Sequence, residues 1–309
     1  MMMTRLEQLY QTLVESSKGN QKKIPITSCL GAYLGISTEG YIRLSFMSSI
    51  PAPKLDSTKL LRITQGQEEQ DVYWTSFDLI QEDAKVVFFT FCEDMIRSIT
   101  DIKEEMIALT SIKKRYVTWK SMFVKANNTQ LSREVLQGLY GELYFLKNYM
   151  LKKYDVKTAI CSWSGPNSTS KDFSLSDNWF EIKTIGNNVQ NVHISSLTQL
   201  SSSIDGRLVI IKLEEMSDEF NNDNSNISVL LTQIMEQLHD EKYEELFLSK
   251  ISNFCLQDEY ISRNYDVKSM NIYLVNDKFP RLTEKDISYP EISEVKYDLL
   301  VNSLEQYKE

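Results

Sequence analysis

The chain has few of the residues and patterns on which several common classes of enzyme and membrane protein depend. Only two of its 309 residues are histidine, which argues against histidine-rich metal sites and most Ser-His triads. No apolar run is long enough to span a bilayer, and residues 1–10 lack the basic-then-apolar layout of a secretion signal. A glycine-rich phosphate loop with its lysine is also missing, so the sequence gives an ATPase little support.

Cysteine content and net charge restrict the function further. The four cysteines, at positions 29, 92, 161 and 255, are far apart and fit no zinc spacing, so we expect reduced, mostly structural thiols in a cytoplasmic protein. The formal net charge of −9 argues against a protein that coats nucleic acid. It leaves room for a nuclease with local basic clusters, but it predicts weak non-specific DNA affinity or DNA contacts shared with a partner.

Residues 1–126 are predicted to form a β-rich N-terminal domain. A helix is expected over residues 4–17, short β-like runs over residues 24–91, and a helix over residues 93–122. Aromatic side chains at positions 73, 74 and 77 fit a sheet core better than a recognition surface. The polar stretch 126–130 is the expected boundary, with a second domain over residues 127–309.

The most basic part of the sequence lies near the end of this first domain. It consists of five side chains interleaved with aromatic residues: Lys113, Lys114, Arg115, Lys120 and Lys125. These cations could reach a phosphate backbone, and the competing interpretation is a solvated helix face.

A strong helix pattern begins the second domain. Ser132 is the predicted N-cap, and Leu131 and Leu136 are predicted to form a hydrophobic staple across it. Glu142 lies within the apolar stripe of this helix, where a carboxylate is costly unless it is paired or close to a metal. Glycines at positions 138 and 141 would allow another part of the backbone to approach closely.

Two predicted strands follow, and this segment contains two carboxylates and one ammonium group. Residues 174–178 have the length of a hairpin loop, which would place Asp172 opposite Glu181. Alternation along the second strand puts Glu181 and Lys183 on one face. The two carboxylates could hold a hard cation such as Mg²⁺, and Lys183 could orient or deprotonate an attacking water.

Together these residues resemble the motif of the PD-(D/E)XK nuclease superfamily, the restriction-endonuclease-like phosphodiesterases. The wider pattern resembles a bacterial PD-(D/E)XK family encoded in restriction-modification and phage-defence operons. The matching segments are 131–132, 138–143, 163–166, 171–173, 181–184 and 192–195. Thr198 departs from that family's pattern, which has an acid there, and Lys171 stands where proline or another residue often precedes the aspartate.

The resemblance implies an α+β fold, with the β-rich N-terminal domain followed by a restriction-endonuclease-like αβββαβ core and a C-terminal α/β extension. It implies a Mg²⁺-dependent DNA endonuclease, with Mn²⁺ able to substitute. Asp172, Glu181 and the carbonyl of Ile182 would bind the metal. Glu142 would be an accessory ligand or support one, and Gln199 would be a polar group facing the site.

Two other functions are compatible with the sequence. A non-catalytic DNA-binding or assembly subunit of a defence complex is the main alternative to the nuclease, and RNA cleavage is a weaker one. The expected partners are double-stranded DNA and the methyltransferase or ATPase subunits of such an operon, with no membrane. Cleavage of both strands needs two sites, which would favour a homodimer.

Overall fold

A computed structural model describes residues 5–14, 19–69, 71–125, 132–165, 171–217, 219–220, 222, 224–251, 263–289, 291–292 and 294–309. The chain forms two compact units, residues 1–130 with 251–262 and residues 131–250 with 263–309. The division that the sequence places at 126/127 and the staple residue Leu131 lie outside the described residues. No helix in the described part of the chain is both long and apolar enough to cross a membrane.

The first unit is built on an antiparallel sheet of five strands in the order β1-β2-β3-β5-β4. The strands are β1 (Gln21–Lys23), β2 (Gly31–Ile36), β3 (Ile42–Ser48), β4 (Leu61–Glu69) and β5 (Val72–Leu79). The helices are α1 (Arg5–Val14), α2 (Lys85–Arg97) and α3 (Glu105–Lys125). Phe77 is completely buried and its ring contacts those of Phe46 and Phe91, so it belongs to the core of this unit.

The single helix predicted over residues 93–122 is instead two helices with a turn between them. Asp101 in that turn has a φ of 63°, which a continuous right-handed helix does not allow. The backbone N–H of Asp101 donates to the carbonyl of Thr27 (2.7 Å), and that of Cys29 donates to the carbonyl of Ile102 (3.0 Å). Hydrogen bonds to residues distant in sequence therefore compensate for the interruption.

The second unit contains a mixed sheet of four strands in the order β10-β9-β7-β6. The strands are β6 (Phe173–Ser174), β7 (Trp179–Gly186), β9 (Gly206–Met216) and β10 (Asn264–Val275). Strands β7 and β9 are parallel, and the other two pairings are antiparallel. Helix α4 (Arg133–Phe145) packs against β7, continues through a π-helical turn at Leu146–Met150, and ends in α5 (Leu151–Lys153).

Three further helices complete the second unit, α6 (Val156–Ser162), α7 (Ile227–Gln237) and α8 (Glu241–Ile251). The N-terminus of α4 is capped as predicted, because the Ser132 side chain accepts a hydrogen bond from the backbone N–H of Val135. The order of helix, strands and helices, with α and β elements mixed in one unit, agrees with the predicted α+β class.

Strand β8 (Asn191–Ile194) pairs with the C-terminal strand β11 (Tyr297–Leu300) in a separate two-stranded sheet. Val192 and Ile194 pack there in one hydrophobic cluster with Leu208 of β9 and Leu299 of β11. The second helix of the expected αβββαβ core is a single 3₁₀ turn, Leu197–Gln199, without a side-chain cap. Only residues 195–205 separate β8 from β9, which leaves too little chain for a longer helix and its two connections.

Candidate active site

The hairpin β6–β7 brings two acidic positions of the sequence together. Phe173 pairs with Phe180 and Ser174 with Trp179, and the same register continued by one residue places Asp172 opposite Glu181. The backbone N–H of Leu175 donates to the carbonyl of Asn178 (2.8 Å) and closes the loop. The predicted loop is therefore present.

Asp172 is held in place by backbone groups of neighbouring segments. Its Oδ2 accepts a hydrogen bond of 2.6 Å from the backbone N–H of Ile182. Its carbonyl accepts another, of 2.8 Å, from the backbone N–H of Ser164. The first bond fixes the carboxyl group next to β7, and the second fixes the backbone of Asp172.

Glu181 and Lys183 form an ion pair on the same face of β7. Lys183 Nζ lies 3.1 Å from Glu181 Oε1 and donates to Gln199 Oε1 at 2.9 Å. Gln199 Oε1 also accepts from the backbone N–H of Ser195 at 2.9 Å. The ammonium group is thus held between β7 and the 197–199 turn.

Glu142 reaches the same region from helix α4. Gly141 lies so close to β7 that a Cβ there would be 2.5 Å from Thr184 Cγ2, so a side chain would push the helix away. The Glu142 Oε2 atom accepts a 2.7 Å hydrogen bond from Nε1 of Trp163, whose side chain is completely buried. Gly138 differs from Gly141, since a Cβ there would meet open space.

Burial raises the pKa of all three carboxyl groups, and the negative charge of Asp172 adds to this effect at Glu181 and Glu142. Burial, reinforced by the negative charge of Asp172, raises the pKa of Glu181 to about 8. Burial first and then Asp172 raise the pKa of Glu142 well above its ordinary value. Burial also raises the pKa of Asp172, against the Ile182 hydrogen bond and the charge of Lys183.

These groups suit a hard divalent cation. Within the described residues, no three Asp, Glu, His or Cys side chains are gathered as a metal site. A centre here would therefore use Asp172, Glu181 and a backbone oxygen, which are the oxygen ligands that Mg²⁺ prefers. Carboxyl groups whose pKa is raised are the ones whose charged form a bound cation would stabilise, so the residues fit the ion.

The five candidate side chains named from the sequence all contribute to this region. Asp172, Glu181, Lys183 and Gln199 are linked by register and hydrogen bonds, and Glu142 interacts electrostatically with Asp172 and Glu181. Sequence reasoning missed three contributors, the indole of Trp163, the backbone N–H of Ser195 and the ammonium of Lys171. All three lie in segments that match the family pattern, but the contacts that each makes at the site appear only in the folded structure.

Two other residues lie apart from this chemistry. His193 is exposed and its Nδ1 lies 2.8 Å from Asp298 Oδ1, on the surface of the unit. Arg115 is buried in the first unit, where its Nε and Nη2 atoms donate to Asp94 at 2.7 and 2.6 Å. The basic segment around it is therefore not simply a solvated face, and Arg115 is unable to contact a phosphate.

A mixed sheet with Asp172 just before its edge strand β6, Glu181 and Lys183 on β7, and Glu142 on the preceding helix α4 is the arrangement expected for the PD-(D/E)XK class. Residues 6–302 match a family model described as "Putative PD-(D/E)XK family member, (DUF4420)", and the chain belongs to that family. Neither the search of curated proteins nor that of solved structures gives a match.

Proposed function

We propose that this chain is a Mg²⁺-dependent DNA endonuclease of a bacterial restriction-modification or phage-defence system. The observation that carries the proposal is the group of buried Glu181 with half-buried Asp172 and Glu142, and with Lys183 paired to Glu181. Three carboxyl groups whose ionisation burial opposes are unfavourable for folding alone, and such clusters are typical of functional sites. Membership of a nuclease-like family supports DNA as the substrate.

The residues divide the work of phosphodiester hydrolysis between them. Asp172, Glu181 and the Ile182 carbonyl would hold Mg²⁺, with Mn²⁺ as a substitute, and Glu142 would support this set. A bound cation supplies positive charge that stabilises the charge developing on the scissile phosphate. Lys183 is fixed by Glu181 and Gln199, so its N–H groups are positioned to orient the attacking water.

Cleavage of supercoiled plasmid DNA in Mg²⁺ or Mn²⁺ tests the activity. We expect nicking or linearisation by the wild type, and a loss of at least about 100-fold for Asp172→Asn and Lys183→Met. Asp205→Asn, at an exposed carboxylate, is the control and should cleave as the wild type does. Equal cleavage by wild type and Lys183→Met would contradict the role given to Lys183.

Calorimetric titration with Mn²⁺ separates the nuclease from a non-catalytic subunit with the same fold. The nuclease requires metal binding that Asp172→Asn abolishes. A second candidate function, a DNA-binding or assembly subunit, is favoured by the net charge of −9, which opposes unassisted DNA binding. Absence of both metal binding and cleavage would favour that function.

The acidic charge also supports partners in the proposed system. We propose that methyltransferase or ATPase subunits of the same operon share the contacts to double-stranded DNA, in the cytoplasm, and that a homodimer supplies the second site for double-strand cleavage. Cleavage assays repeated with co-purified partners, and the mass of the chain by light scattering, test these proposals.

A further inference from the structure

Lys171 is a buried cation beside the proposed site that the roles above do not use. Only 9% of the residue is exposed, and burying an ammonium group is costly unless it is hydrogen-bonded or paired. Its Nζ donates to the carbonyl of Thr198 at 2.6 Å and to that of Gln199 at 2.5 Å. Lys171 therefore binds two backbone carbonyls of the 3₁₀ turn, which lie 27 and 28 residues further along the sequence.

An aromatic ring fixes the position of this ammonium group. Lys171 Nζ lies 3.9 Å from the centre of the Trp179 ring, within the range of a cation–π interaction. The ring in turn lies against Gly206, where a Cβ would be 1.9 Å from Trp179 Cε2. Trp179 Nε1 also donates to the carbonyl of Ile204 at 3.1 Å. Contacts with Gly206 and Ile204 therefore fix the indole that Lys171 touches.

The turn that Lys171 holds is the one that presents Gln199 to the proposed site. The backbone carbonyl of Gln199 accepts from Lys171, while its side-chain Oε1 accepts from Lys183 Nζ and from the Ser195 backbone N–H. A continuous series of contacts thus runs from Lys171 through Gln199 to Lys183. With the turn released, the Gln199 side chain would lose the backbone position from which it holds Lys183.

We propose that Lys171 is a positioning residue that sets the location of the Lys183 ammonium group through the 197–199 turn and Gln199. This proposal adds one residue to the proposed function, and the effect of Lys171 on catalysis rests on that function. Its structural claim, that Lys171 constrains Lys183, can be tested without any nuclease activity.

Acylation of lysines by an amine-reactive reagent, followed by peptide mass spectrometry, measures how firmly Lys183 is held. We expect the labelling rate of Lys183 to rise about fivefold in Lys171→Met and in Gln199→Ala, the effect of losing an ordinary hydrogen bond. Lys171→Arg retains donors for both carbonyls and should keep a rate near that of the wild type. Exposed Lys113 of the first unit provides the internal reference rate.

Lys147→Met is the matched control. Lys147 is a partly buried lysine whose Nζ also donates to two side-chain oxygens, those of Asn224 and Gln233, and neither belongs to the 195–199 segment. Losing this ammonium group should leave the labelling of Lys183 unchanged. A rise equal to that in Lys171→Met would show a general loosening of the unit and would overturn the proposal.

Unchanged Lys183 labelling in folded Lys171→Met or in Gln199→Ala would also overturn it. Should Lys171→Met not fold, the same labelling is measured on Lys171→Gln. The glutamine side chain is shorter than lysine and is unable to donate to both carbonyls. The proposal then requires labelling faster than in the wild type, and a wild-type rate refutes it.

Cleavage kinetics then test the consequence for catalysis. In an active wild type, we expect Lys171→Met to lower kcat about 10-fold to 100-fold through misplacement of Lys183, with little change in KM for DNA and rescue by Lys171→Arg. An unaltered kcat would overturn the catalytic part. An inactive wild type would count against the proposed function instead, and the labelling results would still decide the structural claim.

Discussion

At the scale of single residues, Glu181 is held in an environment that opposes its negative charge. Its folded-state pKa of about 8 exceeds the ordinary value of 4.5, so the folded state binds this proton more tightly than the unfolded state does. The contribution to stability is complete below about pH 4.5 and is lost as the pH rises through 8, at about 1.4 kcal/mol per pKa unit. The metal-free protein should therefore lose stability from pH 5 to pH 8.

Thermal unfolding in EDTA across this range measures the effect, with Glu181→Gln as the comparison. The glutamine keeps a similar shape and carries no titrating group, so its Tm should fall less between pH 5 and pH 8. Added Mg²⁺ should raise the Tm of the wild type most at the high end of the range, where the carboxylate is charged. Parallel Tm curves for the two proteins would contradict this account of Glu181.

Arg115 illustrates a residue whose role depends on its partner. Its guanidinium is 2% exposed and donates two hydrogen bonds to Asp94, which also accepts from Trp119 Nε1 at 2.7 Å. Arg115→Met would leave the buried Asp94 carboxylate with Arg97, at 2.9 Å, as its ion-pair partner, and we expect a loss of about 3 kcal/mol in the free energy of unfolding. Urea denaturation measures it.

Lys113→Met is the control for that experiment, because Lys113 is exposed on the same helix. Its effect should stay within about 0.5 kcal/mol. A similarly small effect for Arg115→Met would mean that the ion pair with Asp94 is not a main stabilising feature of this unit.

At the scale of elements, the approach of helix α4 to strand β7 depends on one of two glycines. Gly141→Ala would bring a Cβ to 2.5 Å from Thr184 Cγ2, so we expect a loss of about 1–3 kcal/mol from overpacking. Gly138→Ala on the same helix meets nothing within 4 Å and should stabilise by up to about 1 kcal/mol, because alanine favours the helix. Denaturant titration of both variants checks the opposite signs.

The contrast also bears on the proposed site, since Gly141 precedes Glu142. Displacement of α4 in Gly141→Ala would move Glu142 relative to Asp172, so metal affinity should fall together with stability. If Gly138→Ala destabilised the protein as much as Gly141→Ala, the space around Gly138 would not be open. Helix propensity would then not decide the effect at that position.

Strand β11 joins the second unit through side chains that alternate between core and solvent. Leu299 is 8% exposed and belongs to the cluster around Val192 and Ile194, whereas its neighbour Leu300 is 49% exposed. Leu299→Ala should cost about 2 kcal/mol or more, and Leu300→Ala should cost much less. Thermal unfolding of the two variants measures the difference, and equal losses would contradict the observed register of β11.

At the scale of the whole molecule, the net charge limits how DNA is bound. A formal charge of −9 opposes the non-specific attraction of a duplex, and buried Arg115 is unable to contribute a phosphate contact. The isolated, metal-free chain should bind random-sequence DNA with a Kd of about 10⁻⁶ M or weaker at physiological salt. Fluorescence anisotropy with a labelled duplex measures this, and nanomolar affinity would argue that the chain needs no partner for DNA contact.

The sequence by itself determined the features that depend on neighbours along the chain. Alternation along a strand placed Glu181 and Lys183 on one face, the length of the 174–178 loop set Asp172 opposite Glu181, and Ser132 marked the start of α4. Local geometry fixes each of these, because a strand repeats every two residues and a cap bonds within one turn.

Only the tertiary structure decided the features that depend on distant segments. Arg115 is a core residue because it pairs with Asp94, and Lys171 is buried against the carbonyls of the 197–199 turn. Strand β8 pairs with β11 and lies outside the main sheet. The physical reason is that burial and charge compensation depend on groups brought together by the fold. A buried cation and an exposed one look the same in sequence until the oxygens that surround it are known.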